Sequence, residues 1–162
     1  MSSTTSAQPA ERRGAAGIVL DVLAAAARFF LAYVWISAGV SKIGHHMEVT
    51  QSIEAYEVFT PYWSEILAHL IGPLELAGGL FLLLGIKLRW SGAVSLVVLA
   101  LFIAGLWSVH ARGMVIDCGC FDPAQGRPDP GDVLKSIWRD LAFVALTVFM
   151  MIRPFRRLAI YP

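Results

Sequence analysis

Charged residues are scarce in this chain. Asp, Glu, Lys and Arg make up 15% of its 162 residues, whereas hydrophobic residues make up 57%. Soluble domains carry about 25% charged residues, so this deficit excludes an ordinary soluble domain and indicates an integral membrane protein. The net charge of +1 gives no reason to expect a nucleic-acid partner, and the lipid bilayer is the expected surroundings.

The apolar residues fall into four runs, at residues 17–43, 66–86, 90–109 and 136–152. Each is close to the roughly 20 residues that cross a bilayer core as a helix. The apolar-polar alternation of membrane β-strands is missing, which leaves helices as the way to satisfy the backbone in lipid. We predict an all-α four-helix transmembrane bundle over residues 17–153, with a disordered cytoplasmic tail at 1–16 and a second cytoplasmic tail at 154–162.

The basic residues indicate how these helices are oriented. With the N-terminus inside, seven Lys or Arg residues lie on the inner side and four lie in the outer loops. Inner sides carry the excess of Lys and Arg, so we expect a multi-pass protein of the cytoplasmic membrane with both termini in the cytoplasm. The first loop, at about residues 44–65, and the third, at about residues 110–135, then lie outside.

Cysteine is the other scarce residue: the chain has only Cys118 and Cys120, separated by Gly119 in the stretch VIDCGCFDPAQG. Outside the cytoplasmic membrane disulfides form and persist. A bridge across one residue closes a small ring that cannot readily adopt relaxed geometry, and strain makes such a bond easy to reduce. We therefore expect a reversible dithiol, with Cys118 and Cys120 as candidate catalytic residues, in an extracytoplasmic loop between the third and fourth spans.

Other roles for this CGC pair stay open. The cysteines could be unreactive, could pair with cysteines of a partner, or could bind a soft metal ion. Histidines near the same face give the metal hypothesis some support, but none has a tight ligand spacing to the CGC, so no metal ligands are assigned; they are His45, His46, His69 and His110.

Charged residues inside the spans form the second candidate site. Arg28 and Glu75 each lie about ten residues into their predicted spans. Intramembrane charges face a partner or a polar cavity, so we expect these two to pair. Asp21, Arg28, Trp35 and Lys42 recur at intervals of seven, which places them on one helix face directed into the bundle.

This intramembrane group has a structural and a functional interpretation. A buried pair can simply fix helix register, or the residues can belong to a proton path or a quinone-type pocket. Under the second interpretation Arg28, Glu75 and Lys42 are the candidate cofactor-binding residues, and a membrane quinone is the candidate cofactor. At the outer end, Lys42, Arg139 and Asp140 are expected to gather beneath the CGC loop.

Several motifs together resemble a known family. They are an Arg-containing first span ending in AGVSKI, a second span reading PLELAGGLFLLLG, and CGCF before the fourth span. The chain resembles the DoxX-like family, and specifically its MauE branch of redox-associated membrane proteins. The residues that match are Arg28, Gly39, Lys42, Glu75, Gly79, Cys118 and Cys120.

The resemblance implies disulfide formation or electron supply for exported proteins, often beside a thioredoxin-like partner. We expect a thiol-disulfide oxidoreductase whose CGC dithiol exchanges electrons with an exported thioredoxin-like protein. The alternative is a non-catalytic accessory or assembly subunit of a larger membrane complex.

Overall fold

The computed structural model describes residues 15–116 and 131–153, which form five α-helices. These are α1 (Ala15–Lys42), α2 (His46–Glu54), α3 (Pro61–Leu84), α4 (Leu88–Ala111) and α5 (Asp132–Ile152). A left-handed residue, Gly85 with φ 71°, ends α3, and α4 begins three residues later. This short turn makes α3 and α4 antiparallel neighbours.

Helices α1 and α3 form the most extensive packing in the described structure. They run antiparallel, and glycines bring their backbones together. A Cβ atom on Gly39 would lie 2.6 Å from the backbone nitrogen of Leu76, and one on Gly79 would lie 2.8 Å from the backbone nitrogen of Ile36. Close contact through small residues is how helices associate in lipid, where no hydrophobic force drives them together.

Helices α4 and α5 pack antiparallel on each other and complete the bundle through α1. Near the start of α5, Val133 and Ile137 bury their side chains against Leu106 and Val109 of α4. Farther along α5, Met150 is buried against residues of α1 and α3, namely Leu31, Ala32 and Leu82. We call the end of the bundle that contains Lys42, α2 and Val133 the α2 end, and the opposite end the turn end.

Three helices are long and apolar enough to span a membrane in the described part of the chain: α1 from Gly17, α3 and α4. Only 28% of the most apolar window of each is buried inside the protein. Their outward surfaces carry large apolar side chains such as Leu74, Trp90 and Leu101. An apolar exterior of this extent belongs in lipid, so the chain is a membrane protein.

The helical class is confirmed, but the predicted four-helix transmembrane bundle is not: the described residues form five α-helices, three of which are candidate spans. Helix α2 was not expected, because its nine residues are amphipathic: six are polar, and Met47, Val49 and Ile53 do not form an apolar run. Helix α5 begins at Asp132, before the predicted fourth span, and is not one of the three candidate spans. Its first half also carries Lys135, Arg139 and Asp140, which lower its hydropathy.

The glycine contacts generate a prediction for stability. Replacing Gly39 with Ala should destabilise the folded protein by about 1–3 kcal/mol, because the new methyl group would overlap backbone atoms of α3 that cannot move aside. Gly78→Ala is the matched control, because no atom lies within 4 Å of a Cβ atom there. Unfolding of both variants in mixed detergent micelles measures the difference, and equal stability of the two would contradict the close crossing.

Candidate functional site

A buried ion pair joins α1 to α3 at the α2 end. The Lys42 Nζ atom lies 2.7 Å from Glu75 Oε2, and the two side chains are only 3% and 7% exposed. Lys42 also donates a hydrogen bond to the carbonyl of Ala38, one turn earlier in α1. A Cβ atom on Gly72 would lie 3.4 Å from Lys42 Cβ, so the small residue makes room for the lysine stem.

The predicted pair of Arg28 with Glu75 is wrong, because Glu75 pairs with Lys42. Arg28 instead donates hydrogen bonds of 2.8 and 2.7 Å to the carbonyls of Leu82 and Leu83, near the end of α3. The last carbonyls of a helix have no partner within the helix, so they are natural acceptors for a guanidinium. Arg28 is fully buried there.

The wrong pairing of Arg28 with Glu75 came from a wrong prediction of where the second span begins. Helix α3 begins at Pro61 rather than near residue 66, and its first turns extend beyond the end of α1, where they pack on α2. This offset places Gly39 beside Gly72 and Arg28 beside Leu82. Arg28 and Glu75 are therefore at different depths.

A second charged pair lies in the first half of α5. The Nε and NH2 atoms of Arg139 each donate to Asp140 Oδ1 at 3.0 Å. Asp140 is buried, while the Arg139 side chain is 30% exposed. The expected gathering of Lys42, Arg139 and Asp140 is thus indirect: Glu75, the partner of Lys42, shares a cavity with the α5 pair.

The cavity lies between α1, α3, α4 and α5 and has a volume of about 50 Å³. Its polar lining comes from Glu75, Arg139 and Asp140. The rest is apolar or aromatic and comprises Val34, Trp35, Ala38, Leu99, Phe102 and Phe143. The predicted face of α1 is therefore directed inward, with Arg28 and Lys42 buried and Trp35 against the cavity.

The α2 end is also fixed by contacts that no sequence motif indicated. Arg112, just beyond α4, donates to the carbonyl of Tyr56 and lies 3.6 Å from Glu57. The Tyr56 ring packs near Gly105 of α4. Ile116 is buried in the same cluster as Val133, so the chain on both sides of residues 117–130 is held at one place.

The predicted dithiol of Cys118 and Cys120 lies outside the described residues. Two of the histidines considered as metal ligands do meet: the rings of His46 and His69 are 4.8 Å apart. Among residues 15–116 and 131–153, however, no three His, Cys, Asp or Glu side chains form a group that could hold a metal ion.

A family model described as "Methylamine utilisation protein MauE" matches residues 20–153. The chain belongs to the MauE family. No curated protein and no solved structure matches it. The predicted MauE resemblance is therefore confirmed, while the wider DoxX-like relationship stays a prediction.

The range that matches the MauE family model, residues 20–153, contains all the candidate functional residues of this protein. It includes the ion pair of Lys42 and Glu75, the pair on α5, and the CGC motif. The sequence analysis did not predict that Phe102 and Phe143 line the same cavity as the charged residues. The available signal was Arg139 beside Asp140 at the start of an apolar run, since such charges in a membrane helix face the bundle interior.

The pair of Lys42 and Glu75 generates a prediction for this MauE protein. Lys42→Met or Glu75→Gln alone should destabilise it by about 3–5 kcal/mol, because each leaves one buried charge without its partner. The double variant should be milder, because both charges are removed together. Unfolding in mixed micelles of the wild type, both single variants and the double variant measures the coupling.

The exposed ion pair between Arg112 and Glu57 provides the control for these single and double variants. Arg112→Gln and Glu57→Gln should each change stability by less than about 1 kcal/mol through the ion pair, because Glu57 is 71% exposed. A Lys42 and Glu75 double variant as unstable as the worse single variant would show that these residues do not stabilise the fold as a pair.

Proposed function

We propose that this MauE-family protein is a membrane thiol-disulfide redox protein. In this proposal Cys118 and Cys120 form a dithiol that exchanges electrons with an exported thioredoxin-like partner. The observation that carries the proposal is the position of the CGC motif in the chain. It follows two residues after Ile116, whose side chain is buried among the ends of α4 and α5.

On either side of the CGC motif the described chain meets at one place. Ile116, two residues before Cys118 in the sequence, is buried in the same cluster as Val133, at the ends of α4 and α5. A redox pair held beside a bundle can meet a soluble partner on one side and a membrane-soluble electron carrier on the other.

The exchange balances without any further reactant. A thiolate of the reduced dithiol attacks the partner's disulfide, forms a mixed disulfide and releases one partner thiolate. The second cysteine then attacks the mixed disulfide, which leaves a CGC disulfide and a reduced partner. Two electrons and two protons move from this protein to the partner, and the reverse sequence oxidises the partner.

We place the dithiol outside the cytoplasmic membrane. The excess of Lys and Arg on the opposite side favours this orientation, with both termini in the cytoplasm. In this arrangement α5 crosses the membrane as the fourth span, with its charged first half near the outer surface. Its 21 residues are sufficient for that length.

A membrane quinone is the candidate acceptor or donor of electrons on the membrane side. Lys42 and Glu75 lie at the same end of the bundle as Ile116, whereas Arg28 binds carbonyls toward the turn end. The cavity of about 50 Å³ is well below the roughly 150 Å³ that accommodates a benzene ring in a protein interior. A quinone ring therefore does not fit within that volume.

One surface feature favours the accessory subunit as a second candidate function. Gly78 lies in α3 with open space where a side chain would be, and Leu74 on the same helix is 66% exposed. A small residue beside apolar side chains is a surface against which a helix of another subunit can pack closely.

The redox function predicts a covalent intermediate with a partner. In cells that carry Cys118→Ser or Cys120→Ser, one variant should accumulate a mixed disulfide with an exported protein, because the thiol that resolves it is missing. The other variant should give little adduct, and the double variant should insert normally and give none. Non-reducing gels of membranes, followed by mass spectrometry of the adduct, measure this pattern.

If the protein is an accessory subunit, its function should depend on Gly78 and not on the two cysteines. Neither cysteine variant would form an adduct, and Gly78→Phe would release the protein from a larger complex without unfolding it.

Metal that co-purifies with the wild type and is lost when either cysteine is replaced would instead indicate a metal-binding loop. Full function of the double cysteine variant would overturn the redox function.

A further inference from the structure

The connection between α2 and α3, residues 55–60, exposes two large apolar side chains. Val58 is 56% exposed and Phe59 is 49% exposed. At the same end of the bundle Val115, the neighbour of the buried Ile116, is 45% exposed. Apolar side chains on the outside of a membrane protein ordinarily face lipid, so the depth of these three residues decides what covers them.

Exposed tryptophans mark the two boundaries of the membrane. At the α2 end, Trp63 of α3, Trp107 of α4 and Trp138 of α5 are each more than half exposed. Tryptophan is enriched at the level of the lipid headgroups. At the turn end Trp90 is 73% exposed. A rise of 1.5 Å per residue separates Trp90 from Trp107 by about 26 Å along α4, close to the roughly 30 Å thickness of a hydrocarbon core.

The connection between α2 and α3 lies at or beyond the tryptophan level of the α2 end. Thr60, which precedes α3, is three residues before Trp63 and therefore about 4–5 Å farther out along that helix. Arg112 is about 7 Å beyond Trp107 along α4, and it lies 3.6 Å from Glu57. Both ends of the exposed stretch are thus outside the hydrocarbon, so its apolar side chains face water.

The backbone of this connection is strained and held in place. Glu57 has φ 52°, in the left-handed region that favours glycine. Such a conformation persists where the surroundings fix it, and it is common at functional sites. Arg112 fixes it here, because it contacts Glu57 and donates to the carbonyl of Tyr56. Tyr56 in turn packs against the cluster that contains Ile116 and Val133. The exposed side chains are therefore presented by a fixed turn.

The surroundings of these side chains are acidic. Outside the two pairs beside the cavity, the described α2 end carries more Asp and Glu than Lys and Arg. The acids are Glu48, Glu54, Glu57, Glu65 and Asp132, and the bases are Arg112 and Lys135. In the sequence, residues 117–130 add three acids and one base. The surface is therefore negative. We use the name α2-end patch for Val58, Phe59, Val115 and the adjoining Glu54 and Glu57.

We infer that the α2-end patch is the docking surface for the exported partner of the dithiol, and that this partner presents an apolar surface flanked by Lys or Arg. The inference rests on the proposed redox function. The CGC motif lies in the sequence between Ile116 and Val133, which are buried together beside the patch. Redox encounters bury small interfaces, below about 1,200 Å², so a few apolar side chains with complementary charge match the expected scale.

The first test measures how fast the mixed disulfide forms in intact cells. It uses the full-length chain with the single cysteine replacement that accumulates the adduct. Phe59→Ser and Val58→Ser should each slow adduct formation by about 10-fold, because an apolar side chain is no longer buried against the partner. Glu54→Lys should also slow it, because a basic partner is then repelled.

Two controls accompany these variants. Met47→Ser changes a residue that is 59% exposed at the opposite end of α2, and it should leave the rate unchanged. Alkylation of the remaining thiol by a small maleimide should proceed at the same rate in every variant. A slower adduct with unchanged alkylation therefore reports docking and not thiol reactivity or misfolding.

The second test places a photo-crosslinking amino acid, benzoylphenylalanine, at position 59 of the chain with both cysteines intact. Illumination of cells should join it to the same exported protein that mass spectrometry finds in the mixed disulfide. The same amino acid at position 47 should not give this product. Crosslinks from position 59 to phospholipid alone would show that the patch lies in the bilayer, and would overturn the inference.

The outcomes separate the docking surface from the redox function. A normal rate of adduct formation in folded Phe59→Ser and Val58→Ser variants would overturn the docking surface and leave the redox function standing. A crosslink from position 59 only to a protein other than the disulfide partner would do the same. Absence of any adduct from either cysteine variant with the patch intact would overturn the redox function, and the docking surface with it.

Discussion

The ion pair between Lys42 and Glu75 is the interaction on which the rest of this structure depends. Two charges removed from water are tolerated only when they meet at short range, here 2.7 Å. That distance requires α1 and α3 to approach closely, and Gly39, Gly72 and Gly79 allow it. The pair and the glycines therefore impose one register on the two helices.

Other features follow from that register. It brings Arg28 to the final carbonyls of α3, which it satisfies at Leu82 and Leu83. It leaves the first turns of α3 beyond the end of α1, where α2 packs against them. It also directs Glu75 toward α5, so that the cavity can include Arg139 and Asp140.

Much of this fold could be predicted from the sequence, because hydropathy is a strong signal. Three long apolar runs correspond to α1, α3 and α4, and the seven-residue spacing predicted the inward face of α1. Helix α2 was missed since its nine residues, six polar and three apolar, give no apolar run. The partner of Glu75 was wrong because it depends on helix register, and register is set by glycine contacts between helices that are distant in sequence.

The most direct test of the central claim uses intact cells and a membrane-impermeant maleimide. If Cys118 and Cys120 form a reversible disulfide outside the cytoplasmic membrane, labelling should be weak in untreated cells and strong after brief reduction with dithiothreitol, without lysis. A Cys118→Ser, Cys120→Ser variant gives the background signal. Labelling that requires lysis would contradict the outer location, and equal labelling before and after reduction would contradict the reversible disulfide.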